Sequence, residues 1–156
     1  MSESSTLDVL SKYIPGFGAY RSEQKRRDDD LAVRQFLANR LQECKRDLQA
    51  VVVPLVDQGN FAAIQQGEKL RLALDNIQSK LRGAVEGYSS WFETVRVDEA
   101  KLKQVIDYDN DLVGVIDRIQ HEITHVNPTA PDFRAALDVV AMLKERFARR
   151  SDLLAK

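Results

Sequence analysis

The sequence predicts an all-α fold: an antiparallel up-down bundle of four long helices, preceded by a short N-terminal segment that is helical or irregular. Three observations point there. Turn formers are scarce, since 7 Gly and 4 Pro in 156 residues leave room for long elements and few loops. Apolar side chains recur every three to four residues along four stretches. Strand-like alternation appears only from Glu93 to Val97, too short to build a sheet. The chain is 44% hydrophobic and 30% charged, a globular balance. Its length suits a single helical-bundle domain over residues 1–156 that buries a core without disulfides or metals. Residues 1–21 are expected to pack on the bundle or extend from it.

The elements follow in order. Residues 1–13 are polar, with a short apolar pattern at Leu7, Leu10 and Ile14. The segment Ile14-Pro15-Gly16-Phe17-Gly18-Ala19-Tyr20 breaks any helix there. The first long helix begins near Ser22, a suitable N-cap, and shows one apolar face at Leu37, Leu41, Cys44, Leu48, Val51, Val52 and Leu55. Pro54 should kink or end it, and Gly59 is a natural C′ stop. The second helix, about Asn60 to Glu86, turns Phe61, Ile64, Leu70, Leu74, Ile77, Leu81 and Val85 inward, with Gly67 on the same face allowing close helix approach. Gly87-Tyr88-Ser89-Ser90-Trp91-Phe92 is a second breaker. The third helix runs from Asp98, its N-cap, to about Val126 through Leu102, Val105, Leu112, Ile116, Ile119 and Ile123. Asn127 to Pro131 stops it. The fourth, about Asp132 to Leu154, presents Phe133, Leu137, Val140, Leu143, Phe147 and Leu154. Short loops make neighbouring helices antiparallel.

Charge and cysteine usage narrow the function classes. The net charge is −1, so no global basic field holds a nucleic acid backbone. The single cysteine, Cys44, excludes an intramolecular disulfide and a cysteine-based zinc site, and on an apolar helix face it reads as a small buried hydrophobe. Met1 to Ser5 shows no basic or apolar leader pattern, and the longest apolar run, Ala50 to Val56, is far below the ~18 residues of a membrane span. A cytoplasmic protein with no nucleic acid or membrane partner is expected.

One motif has sharp chemistry. His121-Glu122-Ile123-Thr124-His125 matches H-E-x-x-H, in which two histidines one turn apart bind zinc and the glutamate activates a water. Glu145 lies at a spacing resembling the third ligand of thermolysin-like enzymes. A zinc-dependent hydrolase with His121, His125 and Glu145 as ligands and Glu122 as base is therefore the alternative reading. Helical geometry opposes it. At 100° per residue both histidines point about 140–180° from the buried stripe, and the hairpin register puts Glu145 roughly 12–18 Å from them along the bundle. Two exposed histidines near a helix C-terminus are the simpler reading.

A second irregularity is a charged stripe. Carried backward from Leu41, the apolar face of the first helix meets Leu37, Arg34, Asp30, Arg27 and Glu23, with Arg26 flanking. Charges on a core face must be paired or stay wet. Glu23–Arg27, Arg26–Asp30 and Asp30–Arg34 have i, i+4 spacing and can pair along the helix. Asp109 lies within about 20° of the third helix's stripe, level with Arg150, its expected partner. Either this end is a solvated overhang with one structural ion pair, or it is a docking surface. In the second case Tyr20, Glu23, Arg26, Arg27, Asp30, Arg34, Tyr88, Trp91 and Asp109 would meet a small anion or an acidic protein, with Gly16-x-Gly18 adding backbone N–H donors.

Two segments also resemble a family of uncharacterised prokaryotic helical proteins. One is Ile14 to Tyr20 followed by Glu23-Gln24-Lys25-Arg26-Arg27-Asp28-Asp29-Asp30. The other is Gly87 to Phe92 followed by Val95-Arg96-Val97-Asp98-Glu99 and Asp107-Tyr108-Asp109. The resemblance implies no activity. It picks out the charged stripe, the aromatic loop and Asp109, and leaves out the histidine pair. The functional expectation is a non-enzymatic helical interaction or scaffold module that binds a protein partner or itself and needs no cofactor, against the zinc-dependent alternative.

Overall fold

The computed structural model describes residues 10–83 and 99–155. Among these there is no strand. The long helices are α1 (Arg26–Asp57), α2 (Phe61–Gly83), α3 (Glu99–Thr124) and α4 (Arg134–Ala155). The all-α bundle predicted from periodicity is the fold.

The first helix does not start at Ser22 as expected. A 3-10 turn over Glu23–Lys25 comes first, with Ser22 extended ahead of it and making no side-chain cap. Asp28 and Asp29 then lie in the first turn of α1, where carboxylates suit the helix dipole. Pro54 neither ends nor replaces the helix, which continues to Asp57. The stop is Gly59 at φ +67°, with Asn60 N donating to Leu55 O and Gly59 N to Val56 O, the paired bonds of a Schellman end. Asn60 Oδ1 then accepts from Ala63 N at 3.3 Å and Asp132 Oδ1 from Arg134 N at 3.0 Å, so a side chain caps the start of α2 and of α4. The anticipated cap Asp98 and core residue Val85 lie outside the described residues.

Around the bundle, α1 touches α2 and α3, and α4 touches α3 and α2. The ring order is therefore α1, α2, α4, α3. Arg40 meets Asp117 and Asp47 meets Gln120, so α1 and α3 run parallel. Phe133 sits beside Gln66 and Gly67, while Arg150 shares Asp30 with Arg34, which reaches Leu81, so α2 and α4 also run parallel. Directions alternate along the chain as predicted, and the two antiparallel hairpins stack with like-directed helices facing.

The core gathers Leu37, Leu41, Cys44 and Leu48 of α1 with Leu70 and Leu74 of α2, Leu112, Ile116 and Ile119 of α3, Leu143 and Phe147 of α4, and Phe133 just before α4. Gly67 does permit close approach, since a Cβ there would lie 2.8 Å from a Val52 methyl and 3.6 Å from the Phe133 ring. Phe61 departs from expectation. As the first residue of α2 it falls beyond the packed layer and is 75% exposed. Ahead of the bundle, residues 10–13 form a helical turn and Leu10, Ile14 and Tyr20 are buried, so this segment packs on the bundle.

Candidate functional site

The charged stripe of α1 is not a solvated overhang. Arg26, Asp29, Asp30 and Arg34 are buried, together with Asp109 of α3 and Arg150 of α4. Among the described residues three arginines face three aspartates there, so their formal charges sum to zero, which suits a buried cluster.

The segment before the helix is what closes it. Ala19 and Tyr20 are both left-handed, with φ of 53° and 62°, a conformation costing about 1–2 kcal/mol per non-glycine residue. Asp29 holds them there by accepting from Gly18 N at 3.2 Å and Tyr20 N at 3.0 Å, and Arg26 Nε donates to Tyr20 O at 2.9 Å. Gly18 leaves room for the carboxylate, because a Cβ would stand 3.2 Å from Asp29 Oδ2. The glycine loop does offer N–H donors to an anion, but that anion is the chain's own Asp29.

The turn aims the Tyr20 ring into the bundle. Its hydroxyl donates to Asp109 Oδ2. Arg150 Nε donates to Asp109 Oδ1 at 2.5 Å, and its Nη2 reaches Asp30 Oδ1 at 2.7 Å and the Tyr20 hydroxyl at 3.2 Å. Asp30 Oδ2 accepts from Arg34 Nε at 2.9 Å, and Arg34 Nη1 donates to Leu81 O of α2 at 2.7 Å. One chain of charge-assisted bonds thus ties the N-terminal segment to all four helices. Burial, then the neighbouring Asp109 carboxylate, push the Tyr20 phenol well above its ordinary value. Burial also raises the Asp109 carboxyl, even with Arg150 opposing it. Burial works against the Arg150 charge, but Asp109, Tyr20 and Asp30 outweigh it and hold that charge firmly in place.

Tyr20, Asp30, Asp109 and Arg150 are wholly shielded from solvent. Of the residues singled out in the sequence, the structure brings together Tyr20, Arg26, Asp30, Arg34 and Asp109, turned inward, while Arg27 is exposed. Tyr88 and Trp91 lie outside the described residues, as does the side chain of Glu23. The pairing of Asp109 with Arg150 is the one the helix register anticipated. Asp29 was missed: it sits in the run Asp28-Asp29-Asp30, and only the fold of the preceding loop distinguishes it from Asp28, which is exposed.

The histidines lie elsewhere. His121 and His125 are exposed at the end of α3 with their rings stacked, centroids 3.9 Å apart. Glu145 is bound to Arg149 at 2.5 Å. Among the described residues no three His, Cys, Asp or Glu side chains gather closely enough to hold a metal ion. Burial pushes the Cys44 thiol up to about 12, which suppresses the thiolate a nucleophile needs.

The two poles of the bundle differ. At the pole opposite the charge network, Val53, Val56 and Phe61 are 49%, 58% and 75% exposed. Between Asp47 and Glu68 the only formally charged residue is Asp57, and from Ile123 to Pro131 there is none. The two hairpin turns meet at this pole around an open depression of about 490 Å³, lined by Asn60, Gln66, Thr129, Pro131 and the exposed Asp132–Arg134 ion pair. No family model, curated protein or solved structure matches the chain.

Proposed function

We propose that the chain is a non-enzymatic, cytoplasmic helical interaction module that associates with a second copy of itself through its charge-depleted pole. The carrying observation is that Val53, Val56 and Phe61 are left in water on a stretch, between Asp47 and Glu68, whose one formal charge is Asp57. Interface centres are poor in charged residues and rich in aromatics, and apolar side chains gathered this way on a folded domain mark contact sites. A two-fold contact sets a patch against itself, so a patch whose charges are Asp57 and the self-neutralising Asp132–Arg134 pair meets little self-repulsion. The charge network supports the reading from the other end: its side chains are consumed in holding the fold and leave no open reacting group.

Sedimentation velocity across a concentration series tests this. The wild-type chain should shift from monomer toward dimer with rising concentration. Phe61→Glu should stay monomeric with unchanged helical circular dichroism, since a carboxylate in the first turn of α2 suits the helix dipole. A wild-type chain that remains monomeric at high concentration would overturn the proposal.

A further inference from the structure

The geometry points to a two-ligand site for a divalent transition-metal ion, of the zinc or nickel type, on the exposed His121–His125 pair. The site does not depend on self-association, and it uses neither Glu122 nor Glu145 as a ligand. Residues four apart share one helix face, and here the two rings lie nearly parallel, 3.9 Å apart and inclined by 28°. Two nitrogens bound at ~2.0–2.1 Å to one tetrahedral ion lie about 3.4 Å apart, a spacing that two exposed rings one helical turn apart reach by rotating out of the stack so that their lone pairs converge.

The tautomer of His125 is also set. His125 Nδ1 lies 2.8 Å from His121 O, a carbonyl that can only accept, so Nδ1 carries the proton. Its Nε2 is then the lone-pair nitrogen. A backbone carbonyl on the far ring nitrogen is the usual way a metal-binding histidine is oriented. The same carbonyl accepts from His125 N at 3.1 Å, and Thr124 Oγ1 donates to Gln120 O at 2.9 Å, which fixes the turn under the pair. Glu122, one residue on, does not share the histidine face, and Glu145 is bound to Arg149. Asp117, one turn before His121, is held by Arg40, and among the described residues no third His, Cys, Asp or Glu joins the pair, so water fills the remaining positions and the ion exchanges readily.

Calorimetric titration of tag-free protein with zinc or nickel chloride reads this directly. One saturable site per chain is expected at neutral pH. Affinity should fall about tenfold or more in His121→Ala and again in His125→Ala. Both side chains are exposed, so circular dichroism should show the variants folded. Absence of saturable binding up to millimolar metal, or equal binding by His125→Ala, would overturn the site.

Discussion

At the scale of single residues, Tyr20 sits where its chemistry is most constrained. Its hydroxyl is buried against Asp109 and Arg150, and burial raises its ionisation well above about 10. A folded-state value raised above the unfolded one gives stability that is whole below the unfolded value and is lost as pH rises through the folded value. Alkaline pH should therefore unfold the chain in step with ionisation of this one phenol. In a spectrophotometric titration, part of the tyrosinate absorbance should appear only as helical circular dichroism is lost. In Tyr20→Phe that coupled step should vanish. Cys44 makes a parallel case. Its thiol, raised to about 12 by burial, should be silent toward a disulfide reagent in the native chain and react once when urea unfolds it. Fast native reaction would contradict the packing around Ile116.

At the scale of elements, helix positions were legible because periodicity and breakers agreed, and the exceptions have local causes. Ser22 heads a 3-10 turn rather than α1 because the chain must first bring Tyr20 inward and hand its backbone to Asp29. Phe61 fits the apolar spacing of α2, but spacing says nothing about whether a neighbour extends that far along the axis. Gly67 was legible as a contact point, and its cost can be read from geometry. Gly67→Ala should gain about 1 kcal/mol of helix propensity. It should lose more, because the new Cβ meets a Val52 methyl at 2.8 Å, and a β-branched side chain in a helix cannot rotate away. Overpacking of this kind costs about 1–3 kcal/mol, so a net loss of about 1 kcal/mol is expected in urea unfolding. Val52→Ala placed beside it should restore stability above that of Gly67→Ala alone, which identifies the clash as the cause.

At the scale of the molecule, alternating helix direction was legible from loop length, whereas ring order was not, since it depends on which helix faces meet across the bundle. Burial of the charged stripe was equally hidden. Local i, i+4 spacing offered Asp30 a partner in Arg34, but its second partner, Arg150, stands 120 residues away in sequence. That second bond decides the fate of the cluster. Removing Arg150 leaves Asp30 and Asp109 buried with one positive charge too few, and breaking a buried pair costs about 3–5 kcal/mol. Arg150→Ala should therefore lower the urea midpoint by more than any exposed arginine, such as Arg134, whose pair with Asp132 lies in solvent. The loss comes from uncompensated charge more than from missing contacts, so neutralising the partners should recover part of it. Asp109→Asn added to Arg150→Ala should cost less than the sum of the two single changes, because each alone strands a charge that the other removes. Additive losses would mean that the residues pack independently, and the network would not be the joint between the two hairpins.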